Sequence, residues 1–185
     1  MAEVAGAFPI RVGISACLLG QRVRYDATHR YDANLVEPLG RIFDLIPVCP
    51  EVAIGMGVPR EPIYLVGNPA APRAVGTRTP ALDVTDALTN YGRRMTQELK
   101  DICGYIFKAR SPSCGMERVK VYSSADSTMH LPLECGVGLY AQALMLDRPL
   151  LPMAEDEPLR DIAFRENFIA RVIAFHGRTA DVGEN

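Results

Sequence analysis

Three of the five cysteines in this chain stand where an apolar, strand-like run gives way to a loop rich in Gly, Pro or Ser. Cys17 follows Ile14-Ser15-Ala16, Cys49 sits in Pro47-Val48-Cys49-Pro50-Glu51, and Cys114 sits in Ser111-Pro112-Ser113-Cys114-Gly115. Strand ends are where side chains from distant parts of a chain can meet, and thiolates are ligands for soft metals. Three thiolates without an evident fourth suit an iron–sulfur cluster that leaves one iron open to an external ligand. The separations are 32 residues from Cys17 to Cys49 and 65 from Cys49 to Cys114. No Cys-x-x-Cys pair occurs, so zinc-ribbon and ferredoxin spacings are excluded.

The flanking residues fit that chemistry. Gly20, Pro50 and Gly115 let the backbone turn sharply against a bulky ligand. Ser111, Ser113 and the backbone N–H groups of their loop can hydrogen-bond thiolate or sulfide. Cys103, between Ile102 and Gly104, reads as core filler, since buried cysteine behaves as a small hydrophobe. Cys135, in Leu133-Glu134-Cys135-Gly136, reads as a bystander near a helix start. As a fourth ligand it would instead close the centre into an electron carrier or sensor. His29, His130 and His176 occur singly in polar surroundings and read as surface histidines without chemistry.

The elements that must position these residues alternate between strand and helix. Residues 10–16 form an apolar strand pattern, and the loop 17–31 follows. Asp32 is placed to cap a helix whose stripe is Leu35, Val36, Leu39, Ile42 and Phe43. Residues 45–48 make a short strand ending at Cys49, and 50–61 read as loop. Residues 63–66 and 73–77 flank Gly67-Asn68-Pro69-Ala70-Ala71-Pro72, a hairpin expected on a sheet edge or as a flap. Asp83 or Thr85 starts a helix to about residue 101, with Leu88, Tyr91, Met95 and Leu99 on one face. Strands are expected at 103–108 and 119–122. A helix opens at Gly136 or Gly138 and runs to about Leu146, Leu150-Leu151 is a last short strand, and 157–175 is the final amphipathic helix. The expectation is one α/β domain over residues 10–177: a Rossmann-like parallel sheet with helices on both faces and a β-hairpin excursion. Short tails are expected at 1–9 and 178–185. In such sheets ligands bind beyond the carboxyl ends of the strands, where all three cysteines fall.

Composition bounds the rest. The 185 residues suffice for one sizeable core, and 48% hydrophobic with 23% charged residues is the balance of an ordinary globular protein. A net charge of −2 argues against a stable nucleic-acid complex held by bulk charge. A local basic site is still available from Arg22, Arg24, Arg30, Arg60 and Arg110. No apolar run approaches the roughly 18 residues of a membrane span. The first nine residues carry Glu3 and no basic region, unlike a secretion signal. A reducing cytoplasm is therefore the expected compartment, where cysteines serve metal binding or catalysis. Nothing in the sequence sets the oligomeric state.

Taken together, three segments resemble the thiouracil desulfidase family. They are Ser15-Ala16-Cys17-Leu18-Leu19-Gly20 with Val23-Arg24-Tyr25-Asp26, then Pro47-Val48-Cys49-Pro50-Glu51 with Gly55, Pro59-Arg60 and Pro62, then Lys108-Ala109-Arg110-Ser111-Pro112-Ser113-Cys114-Gly115. The resemblance spans about residues 10–116. The part from Gly138 onward looks like longer relatives that act on thiolated uridine through an extra C-terminal domain, which is not expected here. Residues 116–136 depart from the family pattern and introduce Cys135.

The resemblance implies a [4Fe–4S] cluster on Cys17, Cys49 and Cys114, and catalytic roles for Glu51 and Ser111. The substrate it implies is a small thiolated base or nucleotide, of 2-thiouracil or 4-thiouridine type. An open iron can take the substrate's soft sulfur, which exposes the carbon bearing it to water, so that hydrosulfide is released without net electron transfer. Glu51, two residues past Cys49, is placed to pass protons between the ring and the attacking water. Ser111 can position the water or the ring, its alternative role being to cap the turn before Pro112. Arg24, Asp26 and Ser113 are candidates for substrate contact, with an Arg24–Asp26 ion pair and stabilisation of the loop by Ser113 as the structural alternatives. Two other classes stay open on the residues alone: a fully ligated redox or sensor protein using Cys135, and a metal-free nucleotide-binding module.

Overall fold

A computed structural model describes residues 9–124 and 131–182. Its centre is a parallel sheet of four short strands, β1 (Arg11–Ser15), β2 (Asp44–Val48), β5 (Gly104–Phe107) and β8 (Met153–Glu155), in the order β2-β1-β5-β8. Successive side chains of a strand point to opposite faces. Val12, Ile14, Ile106 and Ala154 therefore pack on one side, against Leu35 and Leu39 of α1 (Ala33–Gly40) and Phe168 and Val172 of α5 (Ile162–Val182). Tyr105, Phe107 and Met153 pack on the other, against Tyr91 and Met95 of α3 (Thr85–Glu98) and Tyr140 and Leu144 of α4 (Leu139–Asp147). The predicted parallel sheet with helices on both faces is observed. Asp32 caps α1 as expected, its carboxylate accepting from Asn34 N at 3.1 Å.

The hairpin is more than an excursion. β3 (Ile63–Val66) and β4 (Arg73–Gly76) pair antiparallel, but β3 also pairs in parallel with β6 (Val119–Tyr122), which pairs antiparallel with β7 (Leu133–Gly136). The result is a second four-stranded sheet, β4-β3-β6-β7. Alternation explains it: Ile63, Leu65, Val119 and Val121 form one apolar face, which buries against Leu88 of α3 and Leu139 of α4.

Three boundaries differ from expectation. A four-residue helix, α2 (Pro50–Ala53), occupies the start of the predicted loop, with Pro50 supplying the favoured first helical residue. Leu150-Leu151 is not a strand; Leu150 is exposed, and the strand lies beyond Pro152 as β8. The last helix begins at Ile162, after a 3₁₀ turn that buries Leu159, and runs on to Val182 through much of the predicted tail. Among the described residues no helix is long and apolar enough to cross a membrane.

The fold meets the candidate chemistry at the start of α4. The first N–H groups of a helix lack intrahelical partners. Here Gly138 N donates to Gly115 O at 2.8 Å, Leu139 N to Pro112 O at 3.1 Å and Ala141 N to Ser113 O at 3.1 Å. The helix end thus grips the loop that carries Cys114. Gly138 permits the approach, because a Cβ there would lie 2.5 Å from Ser113 C and 2.7 Å from Cys114 N, both backbone atoms. Gly138→Ala is expected to cost about 1–3 kcal/mol of stability by overpacking and to lower iron content by displacing Cys114. Denaturant unfolding and iron analysis of the reconstituted variant check this.

Candidate functional site

The carboxyl ends of β1, β2 and β5 open into a cavity of about 370 Å³ whose lining includes Cys17, Cys49 and Cys114. Each arrives on a different device. Cys17 lies in the 3₁₀ turn Ala16–Leu19 that continues β1, closed by Gly20 in the left-handed region at φ 86°. Cys49 is the residue between β2 and α2, and its Sγ lies 3.7 Å from Val23 O. Cys114 ends the Ser111 turn: Ser111 Oγ accepts from Ser113 N at 3.3 Å and Cys114 N at 3.1 Å, and Gly115 N donates to Ser111 O at 2.8 Å. Arg110 enters this turn in a left-handed conformation, φ 60°, which is uncommon outside glycine.

Burial dominates the electrostatics of the trio. It pushes the Cys17 thiol up to about 11, against the pull of the Arg24 guanidinium. Burial also raises Cys49, and it raises Cys114 far above the ordinary thiol range despite a hydrogen bond from Ser15. Three neutral thiols sharing one cavity lack what would stabilise them as thiolates, and a bound cation supplies it. The donor set also speaks to which group: three cysteines lining one cavity are the soft thiolate ligands that an iron–sulfur cluster takes, so the residues present fit it.

Glu51, in the first turn of α2, lines the same cavity. Its Oε2 accepts from Arg60 Nε at 2.8 Å and forms an ion pair with Nη2 at 2.7 Å, and its Oε1 accepts from Ser113 Oγ at 2.7 Å. Ser111 lines the cavity too. Its oxygen already accepts two backbone N–H groups, so its hydroxyl hydrogen is available to donate. Arg24 also lines the cavity, and its buried Nε has no hydrogen-bond partner among the described residues. The expected Arg24–Asp26 ion pair is present, but at 3.7 Å it is too long for a hydrogen bond.

Two sequence-predicted contacts fall elsewhere. Ser113 is fully buried and lies outside the cavity lining; its hydroxyl serves Glu51. Asp26 is exposed and builds a turn, accepting from Thr28 N at 3.2 Å and Thr28 Oγ1 at 2.6 Å. Short polar side chains are good turn formers, and that role took precedence here.

Sequence reasoning missed Glu155 and Asp156, at the end of β8, whose residues were read as loop. Asp156 is 2% exposed; it accepts from Ala109 N at 2.7 Å and pairs with Lys108 Nζ at 2.9 Å. Glu155 Oε1 accepts from Met116 N at 2.7 Å. The two carboxylates brace both ends of the loop that carries Ser111 and Cys114. Adjacent acids directly after a buried strand were the available signal. Arg60 was quoted only as part of a motif, and its grip on Glu51 could not be read from spacing.

The remaining cysteines and histidines sort by place. Cys135 is exposed on β7, outside the cavity lining. Cys103 is in the core as expected, but its Sγ lies 3.5 Å from His176 Nδ1, so His176 is not an isolated surface histidine. His29 Nδ1 accepts from Tyr31 N at 3.2 Å. His130 lies outside the described residues. A second, polar cavity adjoins the first; Arg30, Lys108 and Glu157 line both.

Comparison with known proteins agrees with this geometry. The family model described as 2-thiouracil desulfurase matches residues 12–156. A solved structure described as [4Fe-4S]-dependent thiouracil desulfidase TudS superposes with a TM-score of 0.65 at 27% identity, covering 85% of this chain and 98% of that one. An uncharacterized protein of Bacillus subtilis (strain 168), YbbK, is 29% identical over 111 residues, which is 55% of this chain and 71% of YbbK.

Two outcomes are expected. Cys135→Ser retains full iron content, whereas serine at Cys17, Cys49 or Cys114 loses it; iron and sulfide analysis after anaerobic reconstitution decides. Burial raises the Glu155 carboxyl above its ordinary value, against the pull of the Met116 N–H. Its contribution to stability is thus present below the unfolded value and lost as pH rises through the folded one. Glu155→Gln keeps the acceptor but not the charge, so its stability relative to the parent is expected to improve from pH 4 towards pH 8, read from denaturant midpoints across that range.

Proposed function

This chain belongs to the 2-thiouracil desulfurase family, and from that membership we propose that it replaces the sulfur of a thiolated pyrimidine with oxygen from water, releasing hydrosulfide without net electron transfer. It is an iron–sulfur-dependent thiouracil desulfidase, as the solved relative is described. The observation that carries the hydrolytic reading is one cavity lined by three cysteines, a carboxylate and a hydroxyl: Cys17, Cys49, Cys114, Glu51 and Ser111.

Cys17, Cys49 and Cys114 would hold the [4Fe–4S] cluster, which when bound supplies a Lewis-acidic coordination position for a soft sulfur. The chain's own residues do the rest. Glu51 accepts a proton from the attacking water and delivers one to the ring nitrogen or the departing sulfur. Ser111, whose oxygen is saturated by backbone donors, donates its hydroxyl hydrogen to the water or to a ring carbonyl. The buried, unpartnered Nε–H of Arg24 is a second donor for a ring acceptor, because a buried donor without a partner is costly. Pro50, Pro62 and Pro112 in the lining supply surface for the flat face of the base.

The adjoining polar cavity favours a substrate that carries more than a base. Lys108 and Arg160 in its lining are paired with Asp156 and Asp32, at 2.9 and 3.0 Å, and Arg110 of the first cavity is paired with Glu157 at 3.1 Å. Among the described residues the Arg30 guanidinium donates only to the carbonyl of His29, at 3.2 Å, and Arg30 lines both cavities. A ribose, with or without a phosphate, fits between them, so the substrate reading extends to a 4-thiouridine-type nucleoside or nucleotide. The site is a pocket for a free small molecule, and the free state of all five cysteines suits a reducing cytoplasm. The fully ligated sensor reading loses its fourth ligand with Cys135 on the outer strand.

Anaerobically reconstituted protein is expected to release hydrosulfide from 2-thiouracil or from a 4-thiouridine monophosphate, with uracil or its nucleotide as the co-product. Release from neither would end the desulfidase reading. Glu51→Gln is expected to keep its iron and to lose about 10²- to 10⁴-fold in turnover, the usual share of a general acid–base.

A further inference from the structure

Glu51 is held from two sides. Arg60 places Nε at 2.8 Å and Nη2 at 2.7 Å from a single oxygen, Oε2. Ser113 Oγ lies 2.7 Å from the other, Oε1. A carboxylate offers about four lone-pair directions. On Oε2 the guanidinium sits with Nε in a hydrogen bond and Nη2 in ion-pair contact, and on Oε1 the hydroxyl takes one direction. Among the described residues Oε1 keeps an open acceptor direction. Ser113 is fully buried, so its bond comes from the protein side. The direction left over belongs to the cavity that Glu51 lines.

Arg60 is itself fixed. Its side chain is 5% exposed, and Nη1 donates to Gly57 O at 2.9 Å. Its backbone N donates to Tyr25 O at 2.9 Å. The planar guanidinium can therefore meet Oε2 in one orientation only, which an ammonium on a flexible stem could not reproduce.

We infer that Arg60 is a positioning residue that occupies Oε2 of Glu51 and so makes Oε1 the oxygen that exchanges protons with water and substrate. The inference rests on the reading of Glu51 as proton carrier and deepens it. Arg60 acts through the carboxylate. It holds the carboxylate plane so that the free direction of Oε1 meets the reacting atoms; a misplacement of about 1 Å can cost on the order of 100-fold in rate.

The test compares iron-loaded wild type, Arg60→Ala, Arg60→Lys and Glu51→Gln, each assayed for hydrosulfide release, iron content and visible absorbance. Arg60→Ala is expected to keep its iron and spectrum and to lose about 100-fold in kcat, with KM changed less than about threefold. Arg60→Lys keeps the charge but not the fork and is expected to recover only part of the loss. Millimolar guanidinium is expected to restore turnover to Arg60→Ala and to leave Glu51→Gln and wild type unchanged. A raised KM with unchanged kcat would make Arg60 a substrate contact and overturn the inference, as would iron loss in both Arg60 variants. Full turnover by Glu51→Gln would sink the underlying reading of Glu51. An inactive Glu51→Gln beside a fully active Arg60→Ala would sink the role of Arg60 alone.

Discussion

Burying three thiols together at the end of a parallel sheet is the constraint to which the rest of this molecule answers. Each thiol is held above its ordinary range by burial, Cys17 at about 11. Each also feels its neighbours, since Cys49 and Cys17 both disfavour a charge on Cys114. Such a set is stable as neutral thiols or as thiolates around a cation, and in between it is poor. A cation that takes the place of three protons turns the penalty of burial into tight, pH-dependent binding. It also explains the bracing of the loops: a thiol trio that must exclude water while awaiting metal cannot be allowed to drift.

The same constraint orders the charges around the cavity. A carboxylate beside buried thiols adds to their difficulty, and Glu51 does disfavour charge on Cys49 and Cys114. Glu51 is accordingly bound to Arg60, and the buried Asp156 is bound to Lys108. Lys108 and Arg24 also draw the Cys17 thiol down. The acids Glu51 and Asp156 beside the trio are thus each matched to a base. Buried ion pairs are weak sources of net stability because desolvation offsets attraction. Their value here is geometric: they fix where the Glu51 carboxylate and the loop of Cys114 stand.

How much of this was legible follows from which forces act locally. The cysteine ends of β1, β2 and β5 were readable because an apolar run followed by Gly, Pro or Ser is a local signal. So was the stripe of α3, with Leu88, Tyr91, Met95 and Leu99 all buried. Pairing between sheets is not local. Nothing in Ile63–Val66 or Val119–Tyr122 says that they lie side by side, and their common apolar face appears only when Leu88 and Leu139 are in place. β8 was displaced by three residues because Leu150-Leu151 is the more apolar pair, yet Leu150 faces solvent at a turn and Met153–Glu155 makes the ladder. Asp26 forms a turn with Thr28, two residues on, whereas Ser113 serves Glu51 across 62 residues, and a partner that distant leaves no mark on spacing.

The second sheet, invisible at first reading, is what ties the site together. Arg60 lies three residues before β3, and the loop from Cys114 leads directly into β6. Those two strands pair in parallel, with Leu65 opposite Val121. The segment that positions the carboxylate and the segment that carries the third thiol are therefore launched from neighbouring strands of one sheet. The first two thiols come from neighbouring strands of the other. α3 and α4 bury residues in both cores, Tyr91 and Leu88 on one helix and Tyr140 and Leu139 on the other. A shift of either sheet would move Glu51's partner or Cys114 relative to Cys17 and Cys49. Packing density makes such shifts costly, so the helix pair sets the distance between the thiol trio and the carboxylate of Glu51.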